Sequence, residues 1–142
     1  MADPLSIIAS AITVGVTAAN ISKALFEIAQ NFRSAREEIS DMAAELTFVS
    51  ENMVILGDLL NYHHDKCKPA LFQQVDSIIA RYKQVEAKLN LLFDARKPLR
   101  RLKWWHNAPQ AKGLMKKVET IKTSLCLVVG LIRLAHEQSQ PQ

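Results

Sequence analysis

Glycine and proline are scarce, four and five residues in a chain of 142. That shortage excludes collagen-like, linker-rich and low-complexity architectures. With about half the residues apolar, it leaves an ordered, mostly helical chain. Only two cysteines occur, Cys67 and Cys126, in neither a disulfide-rich pattern nor a zinc spacing, which fits a reducing cytosol. No period-two alternation stands out to mark a strand, and no internal repeat is found. The chain also lacks a nucleophile elbow, a phosphate-binding glycine loop and a paired-carboxylate site, so neither catalysis nor a cofactor is expected. Two further absences concern charge. No charged side chain occurs between Pro4 and Ser22, and no acid between Ala95 and Val118.

The first of these stretches, PLSIIASAITVGVTAANIS, carries apolar residues along two adjoining helical seams. One runs through Ile7, Ala11, Val14, Ala18, Ile21, Leu25 and Ile28, the other through Leu5, Ile8, Ile12, Ala19 and Phe26. On the remaining face stand Ser6, Ser10, Thr13, Thr17 and Asn20, where an ordinary amphipathic helix would present Lys and Glu. Their hydroxyls can bond back to the helix's own carbonyls, so such a helix suits a soluble core yet costs little to place in lipid. About 20 residues span a bilayer. The Ser, Thr and Asn content nevertheless makes spontaneous insertion marginal, and a soluble resting state is expected. A secretory signal fits poorly, because the region before Ala9-Ser10-Ala11 holds Asp3, no Lys or Arg, and almost no apolar core.

Taken in order, the chain reads as four helices. Asp3 caps the first and Pro4 opens it, and the helix runs to about Asn31 or Phe32. Ser34 with Glu37 reads as a capping box for a second helix to about Leu60. Its core positions are Ile39, Met42, Leu46, Val49, Met53, Leu56 and Leu60, opposite an acidic face of Glu38, Asp41, Glu45, Glu51 and Asp58. Residues 61–68 read as a loop. Pro69 opens a third helix with a seam of Leu71, Val75, Ile78, Tyr82, Val85, Leu89 and Leu92, ending near Asp94. A basic connection covers 95–107, with Asn107 as N-cap of a fourth helix. That helix carries Leu114, Val118, Ile121, Leu125, Val128, Ile132 and Ala135 to about His136. The expected fold is therefore all-α, an antiparallel four- to five-helix bundle with a long N-terminal apolar helix. The bundle domain covers 1–136, and 137–142 form a polar tail or the start of a linker.

The acid-free window holds Arg96, Lys97, Arg100, Arg101, Lys103, Lys112, Lys116 and Lys117. It carries +8 against a net +4, which leaves the rest of the chain at −4. Trp104 and Trp105 sit among these cations. Three readings stand: indoles that cap the core while the charges keep a loop soluble, a patch for anionic lipid headgroups, or a patch for nucleic acid or another acidic partner. No nucleic-acid module fits, and none is expected to bind. The acidic face of the second helix reads as solvated, or as a surface resting against the basic window. His63, His64 and Cys67 read as a solvated loop rather than a metal site, since zinc needs three or four placed donors. Cys126, between Leu125 and Leu127, reads as a buried core thiol.

Two segments together are more specific than either alone. Met1-Ala2-Asp3-Pro4-Leu5-Ser6, the uncharged helix and then Ile21-Ser22-Lys23-Ala24-Leu25 open the chain. Arg101-Leu102-Lys103-Trp104, followed by Lys117-Val118-Glu119-Thr120-Ile121-Lys122-Thr123-Ser124-Leu125, closes it. This pattern resembles the HeLo-like N-terminal domain of fungal STAND (NLR-like) proteins. That class is related to cell-death execution domains and similar to the four-helix executioner bundle of necroptosis. The resemblance covers about residues 1 to 135. It implies a domain that is cytoplasmic at rest, oligomerises with itself on activation and engages the plasma membrane through its first helix. An NLR-like receptor or an amyloid-motif partner would act upstream. The membrane-engaging residues are then Leu5, Ile8, Ile12, Thr13, Val14, Gly15, Thr17 and Ile21. The window cations with Trp104 and Trp105 form the anionic-phospholipid patch. Two positions depart from the family pattern. Trp105 stands where proline is frequent, and Gly15 is the only glycine in a helix that is richer in glycine among membrane-killing relatives. The alternative is a non-toxic homotypic interaction domain at the N-terminus of a larger receptor.

Overall fold

The computed structural model describes residues 3–93 and 104–139. Four helices account for nearly all of them: α1 Pro4–Asn31, α2 Arg36–His63, α3 Pro69–Leu92 and α4 Trp104–Ser139. The fold is an all-α antiparallel bundle. Around its square section α1 neighbours α2 and α3, and α4 neighbours α2 and α3, so α2 and α3 face each other across the core. The main predicted seam of each helix is buried, except that Leu71 and Leu92 are half-buried and Ala135 is exposed; the second apolar seam of α1 stands largely open. Ile7, Ala11, Val14, Ala18, Ile21, Leu25 and Ile28 of α1 meet Ile39, Leu46, Val49, Met53, Leu56 and Leu60 of α2. Val75, Ile78, Tyr82 and Leu89 of α3 and Val118, Ile121, Leu125 and Ile132 of α4 close the other side. Hydrophobic burial at three- and four-residue steps is what makes these segments helices.

The tightest contact in the fold is the α1–α2 crossing, and small residues make it. Gly15 lies so close to α2 that an added Cβ would sit 2.7 Å from Val54 Cγ2 and 3.0 Å from the Ser50 carbonyl oxygen. Seven-residue steps bring Ala43, Ser50 and Gly57 of α2 to the same seam, where a Cβ on Gly57 would meet Ile12 at 2.7 Å. Two buried hydroxyls cross the interface in opposite directions. Ser22 Oγ donates to the Ala43 carbonyl at 2.7 Å, and Ser50 Oγ donates to the Gly15 carbonyl at 2.6 Å. Thr47 Oγ1 lies 2.6 Å from Ser22 Oγ and bonds the Ala43 carbonyl at 3.0 Å. Close packing and satisfied polar groups thus fasten α1 to α2.

Several expectations are corrected. No capping box forms: Arg33–Ala35 make a 3₁₀ turn, Ala35 occupies the N-cap of α2, and no side chain caps it. The corner is held instead by Arg36, whose Nη2 donates to the Gln30 carbonyl at 3.2 Å and Nε to the Ala29 carbonyl at 3.4 Å. A guanidinium on the carbonyls at the end of α1, one of which also accepts the Phe32 N–H, takes the role given to Ser34 and Glu37. Asp3 does occupy the N-cap of α1, but without a side-chain cap bond. Helix α2 runs to His63, and His63 is buried rather than solvated, its ring edge-on to Tyr62 at 4.7 Å. Helix α4 starts at Trp104, so Asn107 lies inside it, and it continues to Ser139 into the supposed tail. Pro109 is tolerated there because it forfeits one backbone bond near a helix end. Cys126 is exposed, not a core thiol, because Leu125 and Val128 take the inward positions and Cys126 is turned about 100° from Leu125. Ala135, the last residue assigned to the α4 seam, is exposed as well.

Tyr82 is fully buried, and its hydroxyl has no hydrogen-bond partner among the described residues. Burial, with Glu86 nearby adding to it, pushes its ionisation well above the ordinary phenol range. An orphaned buried hydroxyl costs roughly 1–3 kcal/mol. Tyr82→Phe removes only that atom, so thermal unfolding is expected to move to higher temperature by a few degrees, about 1 kcal/mol in a domain of this size.

Candidate functional site

Helix α1 rises about 42 Å over its 28 residues. Its most apolar 18 residues have a mean hydropathy of 1.6, and 44% of that window is buried. By length and composition α1 can cross a membrane, and a core helix of a soluble bundle passes the same test. The residues expected to engage a membrane divide by face. Ile8, Val14, Gly15 and Ile21 are buried against the bundle, Leu5, Ile12 and Thr13 are exposed, and Thr17 is half-buried. Thr13 Oγ1 bonds back to the Ala9 carbonyl at 2.9 Å and Thr17 Oγ1 to the Val14 carbonyl at 3.1 Å, which keeps both hydroxyls satisfied without water.

The second apolar seam is where structure and expectation part. Of Leu5, Ile8, Ile12, Ala19 and Phe26, only Ile8 is buried, since α1 has neighbours on two sides and its third side is open. The open side carries a regular stripe: Leu5, Ala9, Ile12, Val16, Ala19, Lys23 and Phe26, all exposed, at alternating steps of four and three. Leu5 is 61%, Val16 54%, Phe26 42% and Ile12 38% exposed. Val16 was in neither predicted seam. The signal for it is present in the sequence as this unbroken seven-residue rhythm.

Of the cationic patch, Arg96, Lys97, Arg100, Arg101 and Lys103 lie outside the described residues, as do the side chains of Trp104 and Trp105. Lys112, Lys116 and Lys117 are exposed on α4, but they do not form one surface. Lys112 and Lys116 line a groove with Glu38, Asp41 and Glu45 of α2. Further along α4, Lys122 Nζ donates to both Glu45 carboxylate oxygens, at 3.1 and 3.2 Å, and lies 4.8 Å from the Phe48 ring. Part of the acidic face of α2 therefore does rest beside part of the basic window. Lys117 turns the other way and shares the α3–α4 groove with Arg81 and Lys88. These two α3 cations lie outside the continuous acid-free window and were not among the predicted patch residues. Their seven-residue spacing beside the α3 seam is the trace they leave.

At the far end of the bundle an apolar groove of about 360 Å³ opens between the α2–α3 loop and α4, lined by Leu71, Leu131, Ile132 and Ala135 with Lys66 and Lys68. Cys67, half-buried beside it, has its thiol ionisation pushed up by burial, which makes it less reactive than a free thiol. No protein-family model, curated protein or solved structure matches the chain.

Proposed function

We propose that the chain is a membrane-targeting signalling or execution domain of the HeLo-like kind, acting in fungal programmed cell death by self-association and by engagement of α1 with anionic phospholipid. The observation that carries this reading is α1 itself: uncharged from Pro4 to Ser22, long enough to span, and less than half buried over its most apolar stretch. An ordinary bundle helix so exposed would carry Lys and Glu on its open side. The cytoplasm is the resting location and the plasma membrane the active one, with an NLR-like receptor or an amyloid-motif partner as trigger. The cations bring the domain to the membrane, each contributing roughly 1 kcal/mol near an anionic surface.

The deciding experiment is dye leakage from anionic and from neutral vesicles by the purified chain, with its oligomeric state measured alongside. Leakage confined to anionic vesicles is expected. Replacing Arg100, Arg101, Lys103, Lys116 and Lys117 by Gln is expected to abolish sedimentation with anionic vesicles, and added salt to weaken it in the unaltered chain. Unchanged vesicle binding by the five-fold variant refutes the lipid role of the patch. One observation favours the second reading, a homotypic interaction module that leaves the membrane alone. The two buried serine bonds and the glycine crossing hold α1 in the bundle, and a bundle that never opens would associate without inserting.

A further inference from the structure

We propose that the open stripe of α1 is a self-association surface on which a second copy of the chain lays its own α1 antiparallel. This deepens the self-association half of the function proposed above and is independent of the membrane half. The stripe, Leu5 through Phe26, repeats at four- and three-residue steps, the spacing that keeps a straight, narrow seam on one side of a helix. Lipid imposes no such narrowness and favours a broad apolar arc. Here the polar residues Ser6, Thr13, Asn20 and Glu27 bound the stripe on one flank and α2 bounds it on the other. A seam of that width fits one helix.

Charge sets the direction. Lys23 is the one charged residue in the stripe, and a parallel pair would bring the two Lys23 ammonium groups together at the same level. Antiparallel pairing separates them. In the register that puts Phe26 on the partner's Ala9 and Val16 on its Ala19, large side chains meet small ones, and Lys23 falls beside the partner's Ile12. Ile12 packs on Gly57 of α2, and the next residue, Asp58, is exposed on the α2 flank bordering the stripe. Each Lys23 thus meets an Asp58 of the other copy, twice by symmetry. From Leu5 to Phe26 the stripe is about 33 Å long and ~10 Å wide. That is short of the roughly 800 Å² per partner in a stable dimer. The α2 flank, with half-buried Val54 and the acids Glu51 and Asp58, must complete the contact. The dimer is accordingly weak and concentration-dependent.

The test is sedimentation equilibrium of the full chain over a concentration series, with helicity and thermal unfolding as folding controls. A monomer–dimer equilibrium is expected. Lys23→Glu sets like charges against Asp58 and is expected to weaken association about tenfold. Adding Asp58→Lys to that variant restores it, because the pair is merely exchanged. Val16→Glu, at an exposed position, keeps the fold and weakens association by more than ~tenfold, since symmetry buries the carboxylate twice. A chain that stays monomeric throughout overturns the proposal, and so does a Lys23→Glu loss that Asp58→Lys fails to restore. If Val16→Glu abolishes vesicle binding in a chain that is monomeric at every concentration, the stripe serves lipid and the dimer is refuted. A dimer that leaks no vesicles leaves this interface standing and removes the membrane reading instead.

Discussion

Gly15→Leu lowers the stability of the bundle by about 3 kcal/mol, the upper end of what overpacking a well-filled site costs. The reason is geometric. Even a bare Cβ at Gly15 approaches the Ser50 carbonyl oxygen at 3.0 Å, and that oxygen belongs to the α2 backbone, which cannot rotate aside as a side-chain methyl can. A branched four-carbon side chain forces α1 away from α2 and stretches the Ser50 Oγ bond to the Gly15 carbonyl, now 2.6 Å. Gly113 and Gly130, helical in α4 with nothing within 4 Å of an added Cβ, supply the contrast. Gly113→Ala and Gly130→Ala gain up to ~1 kcal/mol each, because alanine loses less backbone entropy in a helix. Urea denaturation of the three variants is the measurement. A Gly15→Leu midpoint equal to that of the unaltered chain would show that the helices are not held this closely. The result also bears on function. Gly15 was among the residues expected to engage a membrane, yet its substitution disrupts the resting bundle, so lost vesicle activity at this position is no evidence of insertion.

The core was legible because burial and the helical period leave the same mark. Residues from Ile7 to Ile28 on α1 and from Ile39 to Leu60 on α2 recur at three- and four-residue steps, and all are buried. The open stripe was half legible. Leu5, Ile12 and Phe26 drew attention as apolar, but periodicity reports how wide an apolar arc is and not which neighbour covers it. Only the square arrangement, in which α1 packs along α2 and α3, reveals that no described helix covers that side. Ends of elements were the least legible. Arg36 closes the α1–α2 corner through carbonyls that no local motif announces, and His63 is buried because α2 outlasts its apolar rhythm by one turn. Charge pairings were illegible for a different reason. Lys122 pairs with Glu45, and the like-charged Lys117, Arg81 and Lys88 line one groove, across separations that only the bundle closes.

Thr13→Lys leaves the domain folded and abolishes vesicle leakage. In the resting bundle Thr13 is exposed, and its hydroxyl bonds only to its own helix, at the Ala9 carbonyl. A lysine there meets water, so the change in stability stays within ~0.5 kcal/mol, as for most surface substitutions. In a bilayer the same residue lies at the middle of the uncharged stretch from Pro4 to Ser22. An ammonium at the centre of a spanning helix costs roughly 2.5–3.5 kcal/mol on insertion scales, on the order of a hundredfold in the inserted population. Three measurements separate the possibilities: thermal unfolding, leakage of anionic vesicles, and sedimentation. Thr13 flanks the apolar stripe without belonging to it, so self-association is expected to persist where Val16→Glu destroys it. Full leakage by Thr13→Lys means that α1 does not cross the membrane, and the homotypic module becomes the better account. Loss of folding would mean that the open side of α1 is covered in solution, and the exposed stripe with it.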